Sequence, residues 1–278
     1  MIKDMLVCLE GSPSSTQAVE LAIRLGLVLE ATLVGLAIVD EPDIRAGAAT
    51  GIGGSSYKRD RDAVLLKDAQ EHAEAWTEAF LARCRDVGVA ARALEKRGRP
   101  AKTILEEMRR HDLTLIGRNA NFLFETETQD NETRDAVVAR APKPVMVVPE
   151  EAIETGPAAL FAYDGSTASK RAMRSFVESG LARERPLHVA SVGDEGVAAY
   201  ELAASGCALL QQMGWKAMPH SVVSALSIAE AILLQARKLG AAMVVSGAYA
   251  HSRLAHLIWG SVTHELLEKT AIPLFLHQ

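Results

Sequence analysis

The chain has 278 residues, of which 49% are hydrophobic and 23% charged, and its formal net charge is -5 at pH 7. That length suits two domains, and the composition is that of an ordinary soluble globular protein. The acidic balance leaves no basic footprint for nucleic acid or an anionic membrane, and no apolar run reaches the roughly 18 residues that a membrane span needs.

Met1 to Glu10 lacks the long apolar core of a signal peptide and reads as a first strand near 5–9. A helical pattern follows near 14–29 and a strand near 32–39, and then a long stretch, Asp40 to Asp62. Inside it, Gly47-Ala-Ala-Thr-Gly-Ile-Gly-Gly-Ser-Ser56 invites a phosphate-loop reading. It lacks the Gly-Lys-Ser/Thr ending of a Walker A motif and is read as a flexible loop. Helical patterns near 62–87, 100–111 and 131–141 then alternate with apolar runs near 91–95, 113–116 and 144–148. The acidic segment Glu150 to Pro157 ends in helix breakers and places a boundary between domains 1–150 and 157–278. In the second half, strands are expected near 158–163, 186–192, 217–223, 242–246 and 272–277, with helices near 167–182, 195–213, 225–239 and 261–270.

The two halves repeat one another. Leu6-Val-Cys-Leu-Glu-Gly-Ser12 resembles Leu160-Phe-Ala-Tyr-Asp-Gly-Ser166, Leu113 to Gly117 resembles Met243 to Gly247, and Lys143 to Val148 resembles Ile272 to His277. Order is kept, and the second copy is shorter because only Gly193 to Glu195 stands where the first has Asp40 to Asp62. Strands alternating with helices of this length imply right-handed crossovers and a parallel sheet covered on both faces. Cys8, Cys84 and Cys207 form no motif; Cys8 lies in an apolar run, and the usage fits a reducing cytoplasm.

In an open parallel sheet a ligand sits outside the carboxyl ends of the strands, where strand order reverses. In the second half the fourth strand runs into Gly247-Ala-Tyr-Ala-His-Ser-Arg-Leu-Ala-His-Leu-Ile-Trp-Gly-Ser-Val-Thr263. Glycine admits close backbone approach, and a helix start at Gly260-Ser261 offers unpaired N–H groups to a phosphate. His251, Arg253 and His256 add cationic donors. A strand–loop–helix junction whose Ser261 is only an N-cap accounts for the same residues.

This segment resembles the nucleotide loop of the universal stress protein family, Gly-x2-Gly-x9-Gly-Ser/Thr, with Gly247, Gly260 and Ser261 matching and Val262 and Thr263 continuing the pattern. The resemblance covers nearly the whole chain. It implies two tandem α/β domains, doubly wound and Rossmann-like (adenine nucleotide alpha hydrolase-like), each with a five-stranded parallel sheet in the order 3-2-1-4-5. It implies that Asp164, after the first strand, contacts the nucleoside end, and that Val192 offers backbone to the base. The ligand it implies is ATP or another adenine nucleotide, with or without Mg²⁺. Ala250 stands where the family has its middle glycine. The first half departs further: Glu10 replaces the aspartate, Asp130-Asn131 stand in place of Gly-Ser, and Glu125, Glu127, Asp130 and Glu132 line the stretch with carboxylates. A degenerate first site follows.

No nucleophile–base–acid set is visible, and His72, His111, His188, His220 and His277 are scattered, read as surface or packing residues. No His or Cys spacing suits a metal. The expected role is a nucleotide-binding sensor or regulator in the stress response. A scaffold without nucleotide is one alternative, and an enzyme with at most slow ATP hydrolysis is another. The family dimerises through the fifth strands, so Lys143–Val148 and Ile272–His277 are expected to pair within the chain. Two chains are expected to associate as a homodimer of four domains.

Overall fold

The computed structural model describes residues 1–46, 55–122, 132–151, 156–248 and 261–278. It forms two compact units, Lys3–Arg140 and Ala141–Gln278, the latter joined by Met1–Ile2.

In the N-terminal unit, strand β1 (Asp4–Leu9) is followed by helix α1 (Pro13–Leu29), β2 (Thr32–Val39), α2 (Glu41–Ala46), α3 (Ser55–Asp86), β3 (Ala91–Arg97), α4 (Pro100–Glu107), β4 (Leu113–Gly117) and α5 (Glu132–Arg140). The strands are parallel, in the order β3-β2-β1-β4. Met5 to Cys8 are fully buried, as befits a central strand covered by helices on both faces. Ser12 caps α1 by accepting from the Ser15 N–H at 3.1 Å, and Pro13 opens the helix, where its missing N–H costs nothing.

The long stretch after β2 is not all loop. Asp40 accepts from the Asp43 N–H at 3.1 Å and starts α2, and α3 begins at Ser55, well before the expected residue 62. The first turns of α3, Ser-Ser-Tyr-Lys-Arg-Asp-Arg, carry no apolar stripe, so periodicity is blind to them; good helix formers and i,i+4 pairs such as Lys67–Glu71 sustain the helix. Residues 47–54 of the glycine-rich stretch lie outside the described residues.

The C-terminal unit contains β5 (Val145–Val148), β6 (Ala158–Ala162), α6 (Thr167–Ser179), β7 (Leu187–Val192), α7 (Gly196–Gln212), β8 (Met218–Val222), α8 (Ile228–Lys238), β9 (Ala241–Gly247), α9 (Ser261–Lys269) and β10 (Leu274–His277). The second repeat has the parallel order β10-β9-β6-β7-β8, which is the expected 3-2-1-4-5. β5, the last strand of the first repeat, pairs antiparallel with β10, Phe275 opposite Met146. Phe161, Phe176 and Phe275 meet edge to face, with centroids 5.4 and 5.3 Å apart, and are fully buried. Ile2 donates its N–H to the Ser179 carbonyl at 2.9 Å, which explains why the first two residues join this unit.

Candidate nucleotide site

The chain leaves β6 through Tyr163-Asp164-Gly165-Ser166. Gly165 has φ +77, a left-handed value that favours glycine, and Asp164 Oδ1 accepts from the Ser166 N–H at 2.9 Å. Ser166 then caps α6, accepting from the Ser169 N–H at 3.1 Å. Asp164 is exposed. Partial desolvation pushes its carboxyl up, but hydrogen bonds from Ser166 and Ser169 outweigh this and hold it below the usual carboxylate range. It is therefore an anion at neutral pH. Ser191 Oγ donates to the Tyr163 carbonyl at 2.7 Å and ties β7 to this exit.

β7 and β9 flank β6, and they end at Val192 and Gly247. Asp164, Val192 and Gly247 thus stand at the carboxyl ends of three adjacent parallel strands, with the strand order reversing between β6 and β9. That is where doubly wound sheets place a ligand. Gly247 has a packing reason of its own. A Cβ there would lie 2.6 Å from the Ser169 backbone nitrogen, because the first turn of α6 passes directly over it. Gly117 repeats this in the first half, with a Cβ position 2.9 Å from the Ser15 nitrogen.

Helix α9 starts at Ser261, with Ser261 exposed, Val262 half-buried and Thr263 buried. Its base is fastened to α8. Ser227 caps α8 in a capping box with Glu230 and also donates to Glu265 at 2.6 Å, and Lys269 bridges Glu230 and Glu265 at 2.9 and 2.7 Å. Ala250, His251, Arg253 and Gly260 lie outside the described residues.

The first repeat is built differently at the equivalent place. Glu10 is buried, receives the Ser12 N–H at 3.2 Å and the Ser12 hydroxyl at 2.5 Å, and has its carboxyl raised to about 7 by burial, against those two bonds and one from the Asn121 backbone. Its longer side chain reaches the loop after β4, and Asn119 N–H donates to Ser14 Oγ at 3.2 Å. The Trp76 indole closes over Gly11, where a Cβ would meet it at 2.6 Å. Arg134, near the start of α5, is 1% exposed and donates to the Arg118 carbonyl at 2.7 Å while pairing with Asp135. The carboxylates of this region are legible in the sequence, and this cation is not. A lone arginine inside a helical pattern carries no signal that it turns inward. Asp130 and Asn131 lie outside the described residues.

The histidines are less scattered than expected. His188 Nδ1 and His220 Nε2 are 2.9 Å apart on neighbouring strands, and buried His111 pairs with Asp4. Among the described residues no group of three His, Cys, Asp or Glu is placed to hold a metal ion. No described helix is long and apolar enough to cross a membrane.

The sequence profile of the universal stress protein family matches residues 1–149 and again 158–276. The chain belongs to the universal stress protein family. A universal stress protein of Synechocystis sp. is 25% identical over 286 residues, covering 98% of each chain. The crystal structure of a universal stress protein from Archaeoglobus fulgidus superposes with a TM-score of 0.71 at 16% identity, over 99% of this chain and 96% of that one. A functionally unknown protein from Pseudomonas aeruginosa PAO1 gives a TM-score of 0.58, also at 16% identity, over 99% and 92%. At such identity the structures establish a shared fold. The two profile matches make this a tandem universal stress protein, and its mixed α/β architecture with a mainly parallel sheet is the family's.

Proposed function

We propose that this tandem universal stress protein binds an adenine nucleotide (ATP, ADP or AMP) in its second repeat and acts as a sensor or regulator in the stress response. The observation that carries the reading is the contrast between the two strand exits. Asp164 is an exposed, ionised carboxylate beside Gly247 at the point where strand order reverses, whereas Glu10 is buried and bonded to its own chain. An exposed aspartate in that place suits the hydroxyls of a ribose, and the start of α9 at Ser261 suits an anion. Mg²⁺ would arrive with the nucleotide, held chiefly by phosphate and water.

The test is mass spectrometry of ligand released from the purified protein, with calorimetric titration of ATP, ADP and AMP. The expected result is one nucleotide per chain, bound at least tenfold more weakly by Asp164→Ala and unchanged in Glu10→Gln. Absence of binding at millimolar nucleotide would favour the alternative, a stress-response scaffold, for which Ala250 in the family's glycine position is the supporting feature. Hydrolysis well above background, lost in Ser261→Ala, would make it a slow ATPase. We place the protein in the cytoplasm on its cysteine usage. We also expect two chains to associate; since β5 and β10 satisfy each other's edges, the chain–chain contact uses another surface, and light scattering at micromolar concentration reads the outcome.

A further inference from the structure

The two repeats differ at the helix between their second and third strands. In the first repeat that helix is α3, charged along its length, and its neighbour β3 exposes Arg92, Glu95 and Arg97. The counterpart in the second repeat, α7, has Glu201 as its only charged residue. One face of α7 is covered: Ala199, Ala203, Gly206 and Leu210 are buried, with Gly206 against Tyr163 and Val189. The opposite face is open. Val197 is 74% exposed and Tyr200 51%, and Val223, just past the end of β8 and beside Gly196, is 58% exposed. A helix that is apolar on every side is normally a buried one, and charge is what keeps the rim of a sheet from taking partners.

The outer face of α7 has two unlike halves. The first carries the large side chains, Val197 and Tyr200, preceded by exposed Asp194 and Glu195. The second is small, with Ala204 half-buried and Ser205 and Ala208 exposed, and exposed Lys216 follows it. An antiparallel copy of the same helix complements this face: bulk meets small residues, and the acids before one helix meet the lysine beyond the other. A parallel copy would set bulk on bulk and acid on acid. Other occupants fit less well. Pro219, in the middle of β8, lacks a ladder donor, which disfavours an added strand. Acids rather than lysines flank the large apolar side chains, which disfavours an anionic lipid surface.

We infer that the outer face of α7, with Val223 beside it, is the surface through which two copies of this chain associate, helix against helix, antiparallel about a twofold axis. Tyr200 then packs on Ala208 of the partner subunit, and Glu195 faces Lys216 of the partner subunit. The inference rests on the reading that two chains associate, and it names the surface. A helix of 17 residues is about 25 Å long and about 10 Å wide, so two such faces with their flanks bury roughly 1,000 Å² in all. That is the low end for a specific interface and corresponds to a micromolar dimer.

Sedimentation velocity of the full chain across the micromolar range tests it. Val197→Asp puts an acid in the first turn of α7, where the helix dipole favours one, so the helix stays intact while dimerisation weakens at least tenfold. Tyr200→Ala is expected to weaken it as much. Lys216→Glu weakens it too, and adding Glu195→Lys, at a residue that makes no side-chain cap bond, restores it. Val64→Asp, on the exposed side of α3, changes nothing. A dimer indifferent to Val197→Asp and Tyr200→Ala, no recovery in the charge-swapped variant, or equal weakening by Val64→Asp would each overturn this surface and leave association standing. A wild-type chain that is monomeric throughout would refute association itself and this assignment with it.

Discussion

The place a Gly247 side chain would occupy is taken by the Ser169 backbone nitrogen, 2.6 Å from the Cβ position, and the Ala168 carbonyl carbon is 2.7 Å away. Both are backbone atoms at the start of a helix packed on its sheet, so neither yields without moving α6. Gly247→Ala is expected to lower unfolding stability by about 1–3 kcal/mol through overpacking, read by denaturant titration. A variant that kept full stability and lost only nucleotide affinity would assign the glycine to ligand approach instead.

Glu10 makes the N-terminal unit less stable as pH rises. Its folded pKa is about 7 against an ordinary value of 4.5. Between those values the folded chain holds a proton that the unfolded chain has released, so unfolding free energy falls with increasing pH across that window, by at most ~1.4 kcal/mol per pH unit. Below the window both states are protonated and the full stability is present. Glu10→Gln is expected to flatten the slope between pH 5 and about 7, with chemical denaturation as the measurement; an unchanged slope would place the titration elsewhere.

The His188–His220 pair works in the opposite sense in the C-terminal unit. Burial lowers both pKa values, and for His188 the neighbouring His220 charge adds to it. A histidine with a depressed folded pKa leaves the unfolded chain binding more protons, so stability is full above the ordinary value near 6.5 and falls as pH drops below it. His220→Gln should weaken that acid dependence, and proton-detected titration of the two rings should show both midpoints below the free value.

Ser227 serves two helices at once, capping α8 and donating to Glu265 of α9. Ser227→Ala is expected to cost about 1 kcal/mol and to increase amide exchange in the first turn of α9. Lys269→Ala, at an exposed pair, should change stability less than Ser227→Ala does. Equal effects from the two substitutions would shift the weight from the cap to the ion pairs.

The fold was readable because its strands are buried on both faces. Runs such as Leu6-Val-Cys-Leu and Met243-Val-Val announce themselves, and glycine-serine junctions mark the helix starts that follow. The start of α3 was not readable, since a solvated helix with no apolar stripe looks like linker. The placing of Asp164 and Gly247 at strand ends was legible because a repeated motif fixed them there, and that of Val192 because it closes the strand expected near 186–192. Trp76 over Gly11 and Arg134 turned inward were not. Each is a contact between residues far apart in the chain, and nothing in local pattern distinguishes an inward-facing arginine from a solvated one.

The antiparallel register of Met146 with Phe275 has a bearing on how the molecule is made. β5 leaves the ribosome with the first repeat, yet its hydrogen-bonding partner is the last strand of the second repeat. Until then its free edge is open to any neighbouring strand, and a gene split between the repeats would leave that edge to be met by a separate chain. The tandem arrangement supplies within one chain the strand that a single copy would have to find in another.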